Sequence, residues 1–372
     1  MRWSWRIGRL AGIDLFVHWT FLLLVFWFLL LPLLEARGRE QVTDVVVNFL
    51  FVLAIFACVV LHELGHALTA RHYGIRTRDI TLLPIGGLAR LERMPDDPTQ
   101  ELWVALAGPA VNVVIAGLLF ITLAVAGRIG ASDWDFIHVR MVNFLNKLMT
   151  ANVILVLFNL IPAFPMDGGR VLRALLARKM DYMKATQMAA SIGQALAIVL
   201  GIVGMLYNPF LLFIAIFVYL GAGSEASMVE TRRALQGVPV QYAMMTRFQT
   251  LSPADPLARA AQELMAGAQH DFPVVENGRV VGMLVRDDLF KALQSQTDTA
   301  SVESVMRRDC PIVSQNDILE TVFRRMQEQG CSSLPVVSGE RLVGIVTLEN
   351  VGELMILRQA RQHTQKTPAA SS

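Results

Sequence analysis

The feature that most constrains this chain is where its apolar runs fall. Residues 1–230 hold nearly all of them, and residues 238–357 read like an ordinary water-soluble domain. A helix needs about 20 apolar residues to cross the hydrocarbon of a bilayer. Runs of that kind occur at about 14–34, 45–68, 102–126, 143–161, 186–206 and 208–225, the last two meeting at the turn signature Tyr207-Asn208-Pro209. The expected fold is therefore a polytopic α-helical membrane protein with about six transmembrane helices, residues 1–229 lying in lipid and a smaller unit in water. Composition agrees, since 54% of the 372 residues are hydrophobic, against roughly 45–50% in soluble domains.

Lys and Arg near the ends of the spans set orientation. Arg2, Arg6 and Arg9 precede the first run, and Arg71, Arg76, Arg78, Arg90 and Arg93 follow the second. Arg170, Arg173, Arg178, Lys179 and Lys184 follow the fourth, and Arg232 and Arg233 the sixth, whereas the opposite side has fewer, among them Arg37, Arg39, Arg128 and Arg140. Both termini are expected to be cytoplasmic in a multi-pass cell-membrane protein. Leu15–Leu34 is longer than a signal-peptide core and lacks a small-residue cleavage site, so it reads as a retained span. A net charge of +2 gives no reason to expect a nucleic-acid partner. Cys58, Cys310 and Cys331 are scattered without a CxxC pair. They read as small buried hydrophobes rather than a disulfide framework or a Cys-rich metal site.

Two segments depart from simple span-and-loop reading. Leu82-Leu83-Pro84-Ile85-Gly86-Gly87-Leu88 is apolar but too short to cross, and Pro and Gly break it. Irregular backbone at membrane depth survives only where protein or a water-filled cavity covers it, so a re-entrant hairpin is expected across 74–100. The soluble part repeats itself. Val240–Met244 aligns with Val302–Met306, Pro273-Val-Val with Pro335-Val-Val, and Gly282-Met-Leu with Gly344-Ile-Val, all at one offset of 62 residues. A fixed period means two copies of one α/β unit, each an opening strand, a helix, two strands and a final helix. The copies are expected at 238–293 and 300–357, with a disordered polar tail over 358–372.

His62-Glu63-Leu64-Gly65-His66 is the most informative stretch. Histidines four apart on a helix share a face and can reach one zinc ion. Glu63 lies beside them and can take a proton from a metal-activated water. Polar groups at membrane depth are costly and usually functional. A zinc protease needs a third protein ligand. His72 is one candidate, but six residues past His66 it sits about 240° round the helix. The better candidate is Asp167, in Asn159-Leu-Ile-Pro162-Ala-Phe-Pro165-Met-Asp167-Gly168-Gly169, where the prolines end an apolar helix and the glycines allow close approach. Asn112, in Gly108-Pro109-Ala110-Val111-Asn112, also needs a partner: either another helix or the oxyanion of a peptide being cut.

These three motifs, in this order, resemble the site-2 proteases, polytopic intramembrane zinc metalloproteases, over about residues 1–225. The resemblance implies one Zn²⁺ per chain on His62, His66 and Asp167, with Glu63 as catalytic base. It also implies that Asn112 and Asn159 position the substrate backbone and that the Gly86-Gly87 stretch guides the substrate strand. The reaction implied is regulated intramembrane proteolysis of a single-pass membrane protein, such as a membrane-bound regulator. No PDZ-like insert separates the catalytic spans, and the chain is similar instead to prokaryotic members with a C-terminal regulatory pair. That pair resembles tandem CBS domains, named after cystathionine β-synthase. Such pairs often bind an adenine nucleotide through a Thr and an Asp three residues on, and the resemblance allows a homodimer through the pair. Here the first copy has Val285 and Asp288 and the second Thr347 and Asn350, which makes Asp288 and Thr347 the expected ligand contacts. A channel joined to such a pair would be expected to spread its polar groups along a pore, and a dead scaffold to have lost Glu63 or a ligand.

Overall fold

A computed structural model describes residues 3–36, 38–84, 86–92, 95, 97–129, 143–295 and 300–366. The chain divides into two compact units, Met1–Ser227 and Met228–Ser372. The first opens with strands β1 (Ser4–Leu10) and β2 (Ile13–His18), then α1 (Phe21–Val25), a π-helical stretch (Phe26–Leu30) and α2 (Leu31–Glu35). Then come α3 (Arg39–His72), β3 (Thr77–Leu83), β4 (Gly86–Leu91), α4 (Pro98–Val125) and α5 (Phe144–Asn159). α6 (Asp167–Ala177), α7 (Tyr182–Tyr207) and the part of α8 (Pro209–Leu235) up to Ser227 complete it.

Among the described residues, four helices are long and apolar enough to cross a membrane: α3, α4, α7 and α8. The expected first and fourth spans are shorter apolar helices, Phe21–Leu34 and Phe144–Asn159. Residues 14–18 of the expected first span belong instead to β2. Hydropathy alone cannot separate a buried strand from the start of a helix. The signal was in the turn, where Ala11 and Gly12 take φ of 50° and 87°, as a tight hairpin requires.

Strand order is β1-β2-β3-β4, antiparallel except for the parallel β2–β3 pair. The hairpin expected across 74–100 is thus β3–β4, and β4 is an edge strand. α3 and α4 pack closely because Gly65 faces α4, where an added Cβ would lie 2.7 Å from the Ala107 carbonyl. Small residues at such crossings let helices approach in lipid.

The second unit contains α9 (Leu257–Ala266), β5 (Phe272–Glu276), β6 (Arg279–Leu284) and α10 (Arg286–Ser295), then β7 (Val313–Ser314), α11 (Leu319–Gln329), β8 (Ser333–Ser338), β9 (Arg341–Thr347) and α12 (Leu348–Lys366). Each copy opens with a 3₁₀ turn, Val240–Tyr242 or Val302–Ser304, rather than a strand. The openings are exchanged. Val240 and Ala243 pack in the core built by α11, β8 and β9, while Val302 and Met306 pack with α9, β5 and β6. The repeat period reveals likeness between copies but not which core each segment joins. α12 continues to Lys366, so the segment expected to be disordered from Arg358 is helical that far. Its Arg, Gln and Ala residues favour a helix, and Pro368 comes only later. Residues 367–372 of that expected tail lie outside the described residues.

Candidate metal centre

His62 and His66 stand one turn apart on α3, and both are buried. Asp167 is the first residue of α6, also buried. Asp167 Oδ2 lies 3.1 Å from His62 Nε2 and 3.0 Å from His66 Nε2, and the two nitrogens are 3.1 Å apart. Among the described residues these three form the one group of His, Cys, Asp or Glu side chains that could hold a metal ion.

The far sides of both rings decide their tautomers. His66 Nδ1 is 2.7 Å from the Val104 carbonyl, which can only accept. His62 Nδ1 is 2.8 Å from Asn112 Oδ1, while Asn112 Nδ2 donates to Asn152 Oδ1 at 3.1 Å. Both histidines therefore carry the proton on Nδ1 and turn the lone pair of Nε2 inward. Three acceptor atoms then meet in a buried space with no donor between them, which is repulsive unless a cation joins them. Two imidazoles and a carboxylate, with a fourth position left open, form a donor set suited to catalytic zinc.

Glycines make room for this cluster. A Cβ on Gly108 would lie 2.6 Å from His62 Nε2 and closer still to His66. Gly168 and Gly169 press against the backbone of residues 160–164, so no side chain fits there. A Cβ on Gly87 would lie 2.7 Å from Glu63 Cγ. Gly86 opens β4 with φ of 141°, a conformation suited to glycine. Glu63 is half-buried, and its Oε2 accepts a hydrogen bond from the Ala89 N–H of β4 at 3.2 Å.

Other expected residues lie elsewhere. His72 is exposed at the end of α3, its ring beside Tyr73. Asn159 is half-buried and donates to the Leu155 carbonyl of its own helix at 3.0 Å. Asn112 Oδ1 faces His62 and one N–H of its carboxamide goes to Asn152, so it supports the His62 ring from behind. The residue that sequence reasoning missed is Asn152, fully buried on α5. It donates to the Leu148 carbonyl at 2.9 Å and to Cys58 Sγ at 3.4 Å. Its signal was an amide inside an apolar run, seven residues before Asn159.

In the second unit a cavity of about 450 Å³ is lined by Thr347 and Asn350 together with Asp271, Arg286 and Glu349. Asp288 does not line it. Its carboxylate pairs with Arg307 at 2.5 Å, so this cavity holds Thr347 without Asp288. The reason lies in the repeat: Arg307 stands 62 residues after Met245, and its charge finds Asp288 where the first position has a thioether.

The pattern of peptidase family M50 matches residues 50–127 and 123–200, and the CBS domain pattern matches 240–295 and 302–355. A zinc metalloprotease of Methanocaldococcus jannaschii is 31% identical over 97% of this chain and 99% of that protein. The chain belongs to the site-2 protease family. Stage IV sporulation protein FB of Bacillus subtilis is 24% identical over 67% of this chain and 85% of that protein. A solved site-2 protease from Methanocaldococcus jannaschii is 36% identical, covering 60% of this chain and 95% of that one, with a TM-score of 0.42. The protein is an intramembrane zinc metalloprotease carrying a tandem CBS pair, and it acts on membrane protein substrates.

Proposed function

We propose that His62, His66 and Asp167 hold a single zinc ion and that Glu63 is the base for peptide hydrolysis. The observation that carries this reading is the meeting of three buried acceptor atoms whose histidine tautomers are fixed from behind by Val104 and Asn112. When bound, the zinc acidifies a water molecule and polarises the scissile carbonyl. Glu63 takes the proton from the attacking water and returns it to the leaving amine. Asn112, backed by Asn152, keeps the His62 ring in place. The scissile segment lies extended along the free edge of β4, beside Glu63, with Gly86 and Gly87 allowing close approach.

The substrate in this reading is a single-pass protein, such as a membrane-bound regulator, cut within or beside its transmembrane segment. Both termini face the cytoplasm, and water reaches the site from that side, because the His-Glu-His stretch lies near the basic end of its helix. Residues 238–293 and 300–357 form the regulatory pair, joining two chains as a homodimer. An adenine-type ligand binds beside Thr347. The test is to purify the full chain and the His62→Ala variant and measure zinc by elemental analysis alongside cleavage of a reconstituted membrane substrate. About one equivalent is expected in the parent and a sharp loss of metal and cleavage in the variant. A parent without zinc, or a variant that cleaves normally, refutes the assignment.

A further inference from the structure

One stripe of α4 serves the whole metal site. Glu101, Val104, Gly108 and Asn112 follow one another at intervals of three, four and four residues and so share a face; all four are buried. Val104 and Asn112 hold the two histidines from behind, and Gly108 leaves space for both rings. Glu101 has no part in that arrangement. Its Oε1 accepts from Arg173 Nε at 2.7 Å, and Arg173 Nη1 donates to Glu225 Oε1 of α8 at 2.6 Å. Arg173 has no exposed surface, and its guanidinium lies 5.0 Å from the Phe164 ring and 5.1 Å from the Tyr182 ring.

Burying a guanidinium is costly unless its partners are well placed, and nothing in the hydrolysis uses this one directly. Its position explains it. Arg173 stands on α6 six residues after Asp167, roughly 9 Å along the axis. The first turn of α6 is wedged at Gly168 and Gly169, and Leu172 and Leu176 pack against Phe164, Ala189 and Ala190, but apolar contact is non-directional and does not by itself fix the roll of a short helix. A planar fork gripped by carboxylates from α4 and α8 stops that roll. We propose that Arg173 is a positioning residue for the metal ligand: by tying α6 to α4, the helix that backs both histidines of α3, it fixes Asp167 Oδ2 against the two Nε2 atoms. The proposal rests on the reading of His62, His66 and Asp167 as zinc ligands.

Arg173→Lys keeps the buried charge and removes the fork. In the full chain in detergent, chelator competition should show zinc bound about 10–100-fold more weakly, with the metal-free protein still folded. The decisive measurement is a double-mutant cycle. In an Asp167→Ala background the same substitution should cost no further zinc affinity, because its effect runs through Asp167. General loosening of the helices would weaken zinc equally in both backgrounds, and that result overturns the proposal. So does an Arg173→Lys protein that binds zinc within roughly twofold of the parent. If Arg173→Lys does not fold, Glu101→Gln/Arg173→Met/Glu225→Gln replaces the whole network without leaving an unpaired ion and carries the same cycle. If neither folds, the network is purely structural and the proposal fails. A parent that binds no zinc refutes the metal reading itself, a separate outcome.

Discussion

With both outer nitrogens of His62 and His66 engaged by acceptors, each substitution around the site acts on a distinguishable property. Glu63→Gln leaves the three ligand atoms untouched, so zinc content should match the parent while cleavage falls below detection, since an amide cannot take the water's proton. Asp167→Ala should lose most of the metal, and His72→Ala should keep it, because His72 is exposed beyond the cluster. Metal retained in Asp167→Ala and lost in His72→Ala would reverse that assignment. Asn152→Ala leaves the Asn112 amide with an unpaired donor in a buried position, a cost of about 1–3 kcal/mol. It should weaken zinc by about tenfold, which the same chelator competition reads. The cluster of His62, His66 and Asp167 was legible because helical spacing puts the two histidines on one face and because Asp167 follows a proline break. Asn152 was not, since a single amide in an apolar run looks the same whether it props another residue or merely satisfies its own helix, as Asn159 does.

Among the elements, the helices showed through in the sequence and the first hairpin did not. α7 and α8 meet at Asn208, inside the turn read from Tyr207-Asn208-Pro209, and Asn208 Oδ1 accepts from Phe210 N at 3.0 Å. β1 and β2 were hidden because the second strand runs into the apolar helix that follows it, giving hydropathy one continuous signal. The β3–β4 hairpin was readable as an interruption, but its place at a sheet edge beside Glu63 depends on β2, distant in sequence. Gly87→Val tests that placement. The added atoms would collide with Glu63 Cγ and push β4 away, so cleavage should fall at least tenfold with zinc content unchanged. Normal cleavage would show that β4 can move freely from the base. In the second unit, Cys310 and Cys331 bring their sulfurs to 3.3 Å, a proximity that sequence spacing did not suggest. Burial pushes the Cys310 thiol up to about 12, helped by its hydrogen bond with Cys331. The neutral thiol persists at pH 8, so alkylation should be far slower in the folded protein than after denaturation. Equal rates would contradict that environment.

At the scale of the whole chain, the division between a lipid part and a water-soluble part was readable from hydropathy, and the compact units part at Ser227 and Met228. What the pair binds was less readable, because the 62-residue repeat treats both copies as equivalent while single substitutions make their clefts differ. Arg307 ties up Asp288, and the cavity beside Thr347 has Asp271, Asp287, Glu349 and Glu353 on its lining against Arg286 and His270. Asp271 already accepts three hydrogen bonds, from Arg286 N at 2.9 Å, Ser332 Oγ at 2.6 Å and Ser333 Oγ at 2.7 Å. Thr347 and Asn350 are held together at 2.8 Å, Thr347 donating its hydroxyl proton to Asn350 Oδ1, so a ribose must compete with that bond. An excess of carboxylates repels each added phosphate, and the repulsion weakens as salt screens it. Adenosine should therefore bind the full chain more tightly than AMP, and AMP more tightly than ATP, with the spread narrowing in high salt. Calorimetric titration of all three at low and high ionic strength reads this directly, and Glu349→Lys should shift the preference toward ATP. ATP binding tightest in the parent would show that the carboxylates do not face the ligand. Silence from all three would leave the pair to dimerise or dock substrate without a nucleoside.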